Sequence, residues 1–208
     1  MHEVIPHQVL FVGRELARAG FAAYAVGGCV RDVLLGREPN DWDVATNANP
    51  EEIQKVFPKS FYENKFGTVT ALVDGMEIQI TTYRVDNAYS DKRHPDSVHY
   101  TSDLTEDLAR RDFTINAMAL ALHEEKKEII DPFGGQKDLN EKIVRAVGDA
   151  RERFNEDALR LVRAIRFATQ LGFIIEAQTL HAVKERAALI RAVSGERIRD
   201  ELVKIVMC

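Results

Sequence analysis

The stretch Tyr24-Ala25-Val26-Gly27-Gly28-Cys29-Val30-Arg31-Asp32, followed by Asp41-Trp42-Asp43, decides how this 208-residue chain is read. An apolar run ends in two glycines, a short helical segment opens with an arginine, and a carboxylate pair then starts another apolar run. Glycines let backbone N–H groups approach phosphate oxygens, a helix start favours negative charge, and paired carboxylates hold a divalent cation. Together these point to a nucleoside triphosphate site. The Walker arrangement is excluded, because no GK[ST] follows the glycines. On a strand, residues two apart share a face, so Asp41 and Asp43 would meet the same one or two cations. Taken alone, the pair reads equally well as the solvated end of a strand.

Outward from that stretch, periodicity marks the elements. Residues 9–19 form an amphipathic helical pattern ended by Gly20, residues 21–26 a short strand, residues 30–35 a helix ended by Gly36, and residues 41–45 the next strand. Pro50 opens a helix through Val56, since proline suits the first helical position. Thr68–Val73, the dipeptide Asp74-Gly75 and residues 77–83 make a hairpin of alternating polarity around a favoured turn. Residues 86–98 lack periodicity and are rich in turn formers, which predicts a long mobile loop. Residues 104–121 look helical. Asp131-Pro132-Phe133-Gly134-Gly135 is a cluster of breakers and marks a boundary. Beyond it helical periodicity dominates, with Phe154, Ala158, Leu161, Val162, Ile165 and Ala168 on one face, a stop at Gly172 and two further helices.

Two more constellations carry chemistry. In Arg110-Arg111-Asp112-Phe113-Thr114-Ile115-Asn116-Ala117, a helix would set Asp112 and Asn116 one turn apart with Arg111 beside them. Asp and Asn hydrogen-bond ribose hydroxyls, and Arg clamps phosphate. The same run also reads as a charged helix start before core residues Phe113, Ile115 and Met118. In Glu156-Asp157-Ala158-Leu159-Arg160, a helix would project Asp157 and Arg160 together. Cytosine and adenine both present an amino donor beside a ring-nitrogen acceptor, whereas uracil and guanine present the reverse. A carboxylate and a guanidinium facing that edge accept C and A and reject U and G. An ordinary i,i+3 surface ion pair is the commoner fate of this spacing.

Composition narrows the class. The chain is 45% hydrophobic and 29% charged, which suits one or two packed domains. Cys29 and Cys208 lie far apart without metal-ligand spacing, so a zinc site or a disulfide framework is not expected and a reducing cytoplasm is. No signal-peptide pattern and no apolar run of membrane-spanning length are seen. The net charge of -5 argues against polyanion binding by the whole surface. Residues 151–208 nevertheless carry 11 Lys+Arg against 8 Asp+Glu, while residues 1–150 carry 17 against 25. An acidic front with metal ligands and a mildly basic helical rear suits a magnesium nucleotide plus a nucleic acid, and solvated helix faces explain the asymmetry almost as well.

In order and spacing, Gly27-Gly28-x-Val30-Arg31-Asp32 with Asp41-x-Asp43, Arg110-Arg111-Asp112-Phe113-Thr114-x-Asn116-Ala117, Asp131-Pro132-Phe133-Gly134-Gly135 and Glu156-Asp157-x-x-Arg160 resemble the motifs of class II (bacterial-type) tRNA nucleotidyltransferases. These are the CCA-adding enzymes, related to bacterial poly(A) polymerases. The resemblance implies an α/β fold: a polymerase-β-type nucleotidyltransferase head with a small mixed sheet and helices over residues 1–137, followed by an all-α neck over 138–208. It implies body and tail regions beyond these, which this chain does not include. It implies further that Asp41 and Asp43 bind two Mg²⁺ ions for in-line attack by the tRNA 3′-hydroxyl at the acceptor stem. Gly27, Gly28 and Arg31 would cradle the triphosphate, and Arg111, Asp112 and Asn116 would recognise the ribose. Asp157 and Arg160 would template CTP and ATP, with Arg163 as a further nucleotide-binding residue. Gly134-Gly135 would be a hinge, and Ser194-x-Glu196-Arg197-Ile198-x-x-Glu201-Leu202 would steady the template helix.

One departure concerns the metal site. Relatives often carry Glu-Val-Thr-Thr-Phe where this chain has Gln79-Ile80-Thr81-Thr82-Tyr83, so Gln79 takes the place of a third carboxylate; Glu77 lies on the same strand face. Within the family, the loop with Asp91-Lys92-Arg93 favours competence for the terminal A. Asn64-Lys65-Phe66-Gly67-Thr68-Val69 lacks the more basic stretch of poly(A) polymerases. The alternatives are a poly(A) polymerase, a CC- or A-adding relative, or a nucleotide- or RNA-binding module without turnover. A metal-dependent glycosyltransferase also uses DxD, but it leaves the other two constellations unexplained.

Overall fold

The computed structural model describes residues 5–62, 67–87, 97–122 and 128–207. The Asp91-Lys92-Arg93 element and residues Asn64, Lys65 and Phe66 lie outside that set. The chain divides into two compact units: Met1–Val85 with His99–Leu108 and Asn116–Pro132, and Asp86–Val98 with Ala109–Ile115 and Phe133–Cys208.

In chain order the first stretch contains α1 (His7–Arg18), β1 (Ala23–Val26), α2 (Gly28–Leu34), β2 (Asp43–Thr46), α3 (Pro50–Val56), β3 (Ser60–Tyr62), β4 (Thr68–Val73) and β5 (Met76–Thr82). Then come β6 (Arg84–Asn87), β7 (Ser97–Tyr100), α4 (Leu104–Ala109), a 3₁₀ turn at Thr114–Asn116, β8 (Ala119–Ala121) and β9 (Ile129–Ile130). Among the described residues, seven strands form one sheet in the order β3-β4-β5-β2-β1-β8-β9. It is mixed: β2 runs parallel to β5, and the other neighbours pair antiparallel.

The two faces of this sheet differ in chemistry because side chains alternate along each strand. One face is apolar, with Ala25, Val44, Val69, Ala71, Ile78 and Ile80 all buried, and α1 and α3 pack on this side through Val9, Val12, Leu16 and Ile53. The approach of α1 is close: a Cβ added at Gly13 would come within 2.4 Å of Leu122 Cβ. The sequence supports α3 locally, since Asn49 and Glu52 form a reciprocal capping box and Pro50 fills the first turn. At the β4–β5 hairpin Asp74 and Gly75 both take positive φ (47° and 81°), as the tight two-residue turn requires.

The second unit contains α5 (Gly135–Glu141), β10 (Ile143–Val144), α6 (Ala150–Glu156), α7 (Leu159–Leu171), β11 (Ile174–Ile175), α8 (Ala177–Arg186), a 3₁₀ turn at Ala187–Ala192 and α9 (Gly195–Val206). A buried Asp138 on α5 accepts from Thr114 Oγ1 at 2.6 Å and from Arg145 Nε at 3.0 Å, which ties the Arg-Arg-Asp segment to the helices. Helices α7 and α9 pack together, with Arg166 donating to Glu201 and Gln170 to the Lys204 carbonyl.

Three expectations from periodicity are corrected. Residues 104–121 are not one helix: α4 ends at Ala109, Phe113 bridges to Ala146, and Ala119–Ala121 pairs with β1. Tertiary pairing has overridden helix propensity there. The run 86–98 is not a loop throughout, since β6 and β7 form a two-stranded ribbon at its ends. Ile165 does not share the buried face with Leu161; it is 47% exposed, and Ala164 and Phe167 face inward instead.

Candidate active site

Strand β1 ends at Val26, which pairs with Asp43 on one side and Ala119 on the other. The chain then bends at Gly27, whose φ of 83° is one that side-chain-bearing residues rarely adopt, and enters α2 at Gly28. Gly27 N–H donates to the Met118 carbonyl at 3.4 Å, which pins the bend to the neighbouring strand. Arg31 lies in the last turn of α2 rather than at its start, and its side chain folds back over Gly28. The Arg31 guanidinium is placed by Asp32 (Nε to Oδ1, 2.9 Å) and by Asn116 (Nη1 to Oδ1, 2.8 Å). A cation beside a glycine bend, its planar fork held from two sides, is a ready phosphate clamp.

Asp43 is the first residue of β2, and Asp41 precedes the strand, so the expected strand 41–45 begins two residues late. Both carboxylates are exposed, while Trp42 between them is buried at 4%. Gln79 stands beside Asp43 in the parallel β2–β5 register, on the same face. Among the described residues no group of three or more His, Cys, Asp and Glu is placed to hold a metal ion.

The remaining expected residues fall in the second unit, apart from Asn116. Arg111 is half-buried. Asp112 is buried; its Oδ1 accepts its neighbour's N–H from Phe113, and its Oδ2 takes Arg163 Nε at 2.9 Å and Nη2 at 2.6 Å. Burial opposes the Arg163 charge, but Asp112 and Glu201 outweigh it and hold its pKa above the ordinary value. Burial pushes the Arg166 guanidinium down, helped by the like charge of Arg163. Arg166 also lies over the Phe167 ring at 4.0 Å, which supplies a soft counter-surface.

Two helix-based expectations fail here. Asp112 and Asn116 do not share an α-helical face: residues 112–114 bond alongside residues 145–147, and the 3₁₀ turn follows. Asp157 and Arg160 do not project from one helix, because Asp157 is extended (φ -132°, ψ 106°) and closes α6 before α7 begins. Its Oδ1 accepts from Leu159 N–H at 3.0 Å, and Arg197 on α9 grips both oxygens. Arg160 Nη1 pairs with Glu156 at 2.6 Å, and its Nη2 donates to the Arg110 carbonyl at 2.9 Å. The surface ion pair between Asp157 and Arg160 is therefore not what this spacing produces. Sequence inspection missed the Arg31–Asn116 bond, since no local signal joins residues 85 positions apart.

Residues 23–145 match the family described as Poly A polymerase head domain, and residues 172–208 match one described as probable RNA and SrmB-binding site of polymerase A. The chain is 50% identical over 193 residues to a CCA-adding enzyme of Lactobacillus helveticus (strain DPC 4571), covering 92% of this chain and 48% of that one. A Bacillus stearothermophilus CCA-adding enzyme in complex with CTP superposes with a TM-score of 0.86 at 41% identity, over 96% of this chain and 48% of that chain. A Thermotoga maritima CCA-adding enzyme complexed with tRNA gives 0.81 at 31%, over 98% and 48%. The chain thus spans about half the length of the relatives it matches, and it shares with them the polymerase-β-type α/β fold expected from its motifs. With the head-domain match covering well over half of its residues, this chain belongs to the Poly A polymerase head domain family.

Proposed function

We propose that this chain is the catalytic portion of an RNA nucleotidyltransferase that adds C and A, from CTP and ATP, to the 3′ end of tRNA without a nucleic-acid template. The observation that carries this is local. Exposed Asp41 and Asp43, the Gly27-Gly28 bend and an Arg31 fixed by Asn116 gather at one end of one sheet. Similarity to CCA-adding enzymes seen with CTP and with tRNA supports it.

The donor set fits Mg²⁺, which keeps several waters and is held by one or two carboxylates together with substrate phosphates. Asp41 and Asp43 would hold two such ions, which when bound supply charge neutralisation for the triphosphate and alignment of the attacking hydroxyl. Gly27 and Gly28 offer backbone N–H groups to the phosphates, and Arg31 clamps them. Arg111, Asp112 and Asn116 select the ribose. Asp157 and Arg160 read the base edge common to C and A, with Arg163 locking Asp112 behind them. Residues 1–137 are the catalytic head and 138–208 the base-reading neck. A reducing cytoplasm suits the buried thiol of Cys29, which donates to the Val26 carbonyl. No helix among the described residues is long and apolar enough to cross a membrane.

Labelled CTP or ATP, Mg²⁺ and tRNA lacking its CCA end test this at single-nucleotide resolution. At most three added nucleotides, C before A, is the expected product. Long A tails would identify a poly(A) polymerase, and no extension would leave a binding module.

A further inference from the structure

The sheet face that carries Asp43 is not uniformly polar. In the pairing register one row runs Phe61, Thr70, Gln79, Asp43 and Val26 across β3, β4, β5, β2 and β1. Residues paired on neighbouring strands point to the same side, so the Phe61 ring shares the face of Asp43. Three strand spacings place it about 14 Å from Asp43 along the sheet. Phe61 is 51% exposed, whereas Thr70 between them is 2% exposed. Leu72, two residues along β4 from Thr70 and so on the same side, is 46% exposed. Its N–H donates to the carbonyl of Lys59, an exposed cation at the edge of this patch. Around β3, β4 and β5 the buried apolar side chains Val69, Ala71, Ile78 and Ile80 lie on the opposite face, so their packing does not account for the exposed Phe61 ring.

We propose that Phe61 is a stacking platform for a nucleobase of the RNA strand whose 3′ end is extended at Asp41 and Asp43. This rests on the nucleotidyltransferase reading above. Stacked nucleotides succeed one another at about 3.4 Å, so 14 Å is the span of about four, which puts the platform a few nucleotides behind the growing end. Aromatic stacking tolerates any base, as it must where the 3′ end changes with every addition. Lys59 supplies positive charge for the adjoining phosphate.

Phe61→Ala, Phe61→Leu and Phe61→Trp in the full chain test this with tRNA ending in CC. Stacking on one aromatic is worth about 1–3 kcal/mol per base, so the Ala and Leu variants should both bind tRNA roughly tenfold more weakly. Their equilibrium affinity for CTP, measured without tRNA, should be unchanged, and the Trp variant should bind tRNA like the parent. Indole emission from Phe61→Trp should be quenched by tRNA but not by CTP with Mg²⁺; the chain's other tryptophan, Trp42, is buried. Equal tRNA affinity in all variants, or parental affinity in Phe61→Leu, overturns the platform. Quenching by CTP alone, loss of self-association without loss of RNA affinity, or a parent that does not bind tRNA does so as well. None of these readouts needs turnover, so a failed platform leaves nucleotide incorporation intact, whereas failure of the nucleotidyltransferase reading appears as a parent that does not incorporate.

Discussion

Arg197 holds both carboxylate oxygens of Asp157 across 40 residues of chain, with Nη1 3.3 Å from Oδ1 and Nη2 3.0 Å from Oδ2. The residue proposed to face the amino group of C and A is thus oriented by the last helix. Arg197→Met keeps much of the bulk and removes the fork. A displacement of about 1 Å costs on the order of a hundredfold in rate, so incorporation of CTP and ATP should fall 10- to 100-fold while UTP and GTP begin to compete. Single-turnover incorporation of each of the four nucleotides checks this.

Asp43→Asn removes one of the two carboxylates proposed to hold the metal ions, at an exposed strand start. Incorporation should drop by about three orders of magnitude, the scale expected when several kcal/mol of charge stabilisation are lost. The thermal unfolding midpoint should stay within about 2 °C of the parent, because the side chain is exposed. A large fall in the midpoint would instead make Asp43 a structural residue.

Arg166 and Glu201 are both buried and paired, and removing one partner strands the other charge. Glu201→Leu should cost about 3–5 kcal/mol. Arg166→Met in the same chain should recover most of that loss. Urea unfolding of the two single variants and the double variant reads the coupling directly.

Gly13→Ala tests the seat of α1 on the sheet. The added methyl would meet Leu122 Cβ at 2.4 Å, so despite alanine's better helix propensity the variant should lose about 1–3 kcal/mol. Denaturant unfolding measures it.

Glu176 caps α8 by accepting from Thr179 N–H at 2.7 Å. Burial raises its pKa, but the N–H groups of Gln178 and Thr179 and the charge of Arg145 lower it further, and the net position is below the ordinary 4.5. A depressed folded-state value means that the ionised carboxylate stabilises the fold fully above the unfolded pKa. That contribution is lost as pH falls through the folded value. Glu176→Gln keeps an accepting oxygen without the charge, so it should be less stable than the parent at pH 7 and nearly equal to it at pH 3. Urea midpoints at the two pH values decide.

The elements that sequence periodicity located well are those whose local chemistry is self-contained. Pro50–Val56 has its capping box and proline, the hairpin has Asp74-Gly75, and α7 ends at Gly172. Residues 110–121 were illegible because their structure is decided elsewhere: Phe113 pairs with Ala146 and Ala119 with Val26. The aspartates and the glycine bend were visible as a motif, since each acts through its own backbone. Asn116 on Arg31 and Arg197 on Asp157 were not, because neither partner announces the other.

The bend at Asp74-Gly75 has a reach that its size conceals. It fixes which residues of β5 look toward Asp43: Glu77, Gln79 and Thr81 on that side, Ile78 and Ile80 on the other. A slip of one position would swap the two sets, setting isoleucines beside the aspartates and burying a glutamate and a glutamine against the helices. Two surface residues therefore act as the indexing pin of the proposed reactive surface.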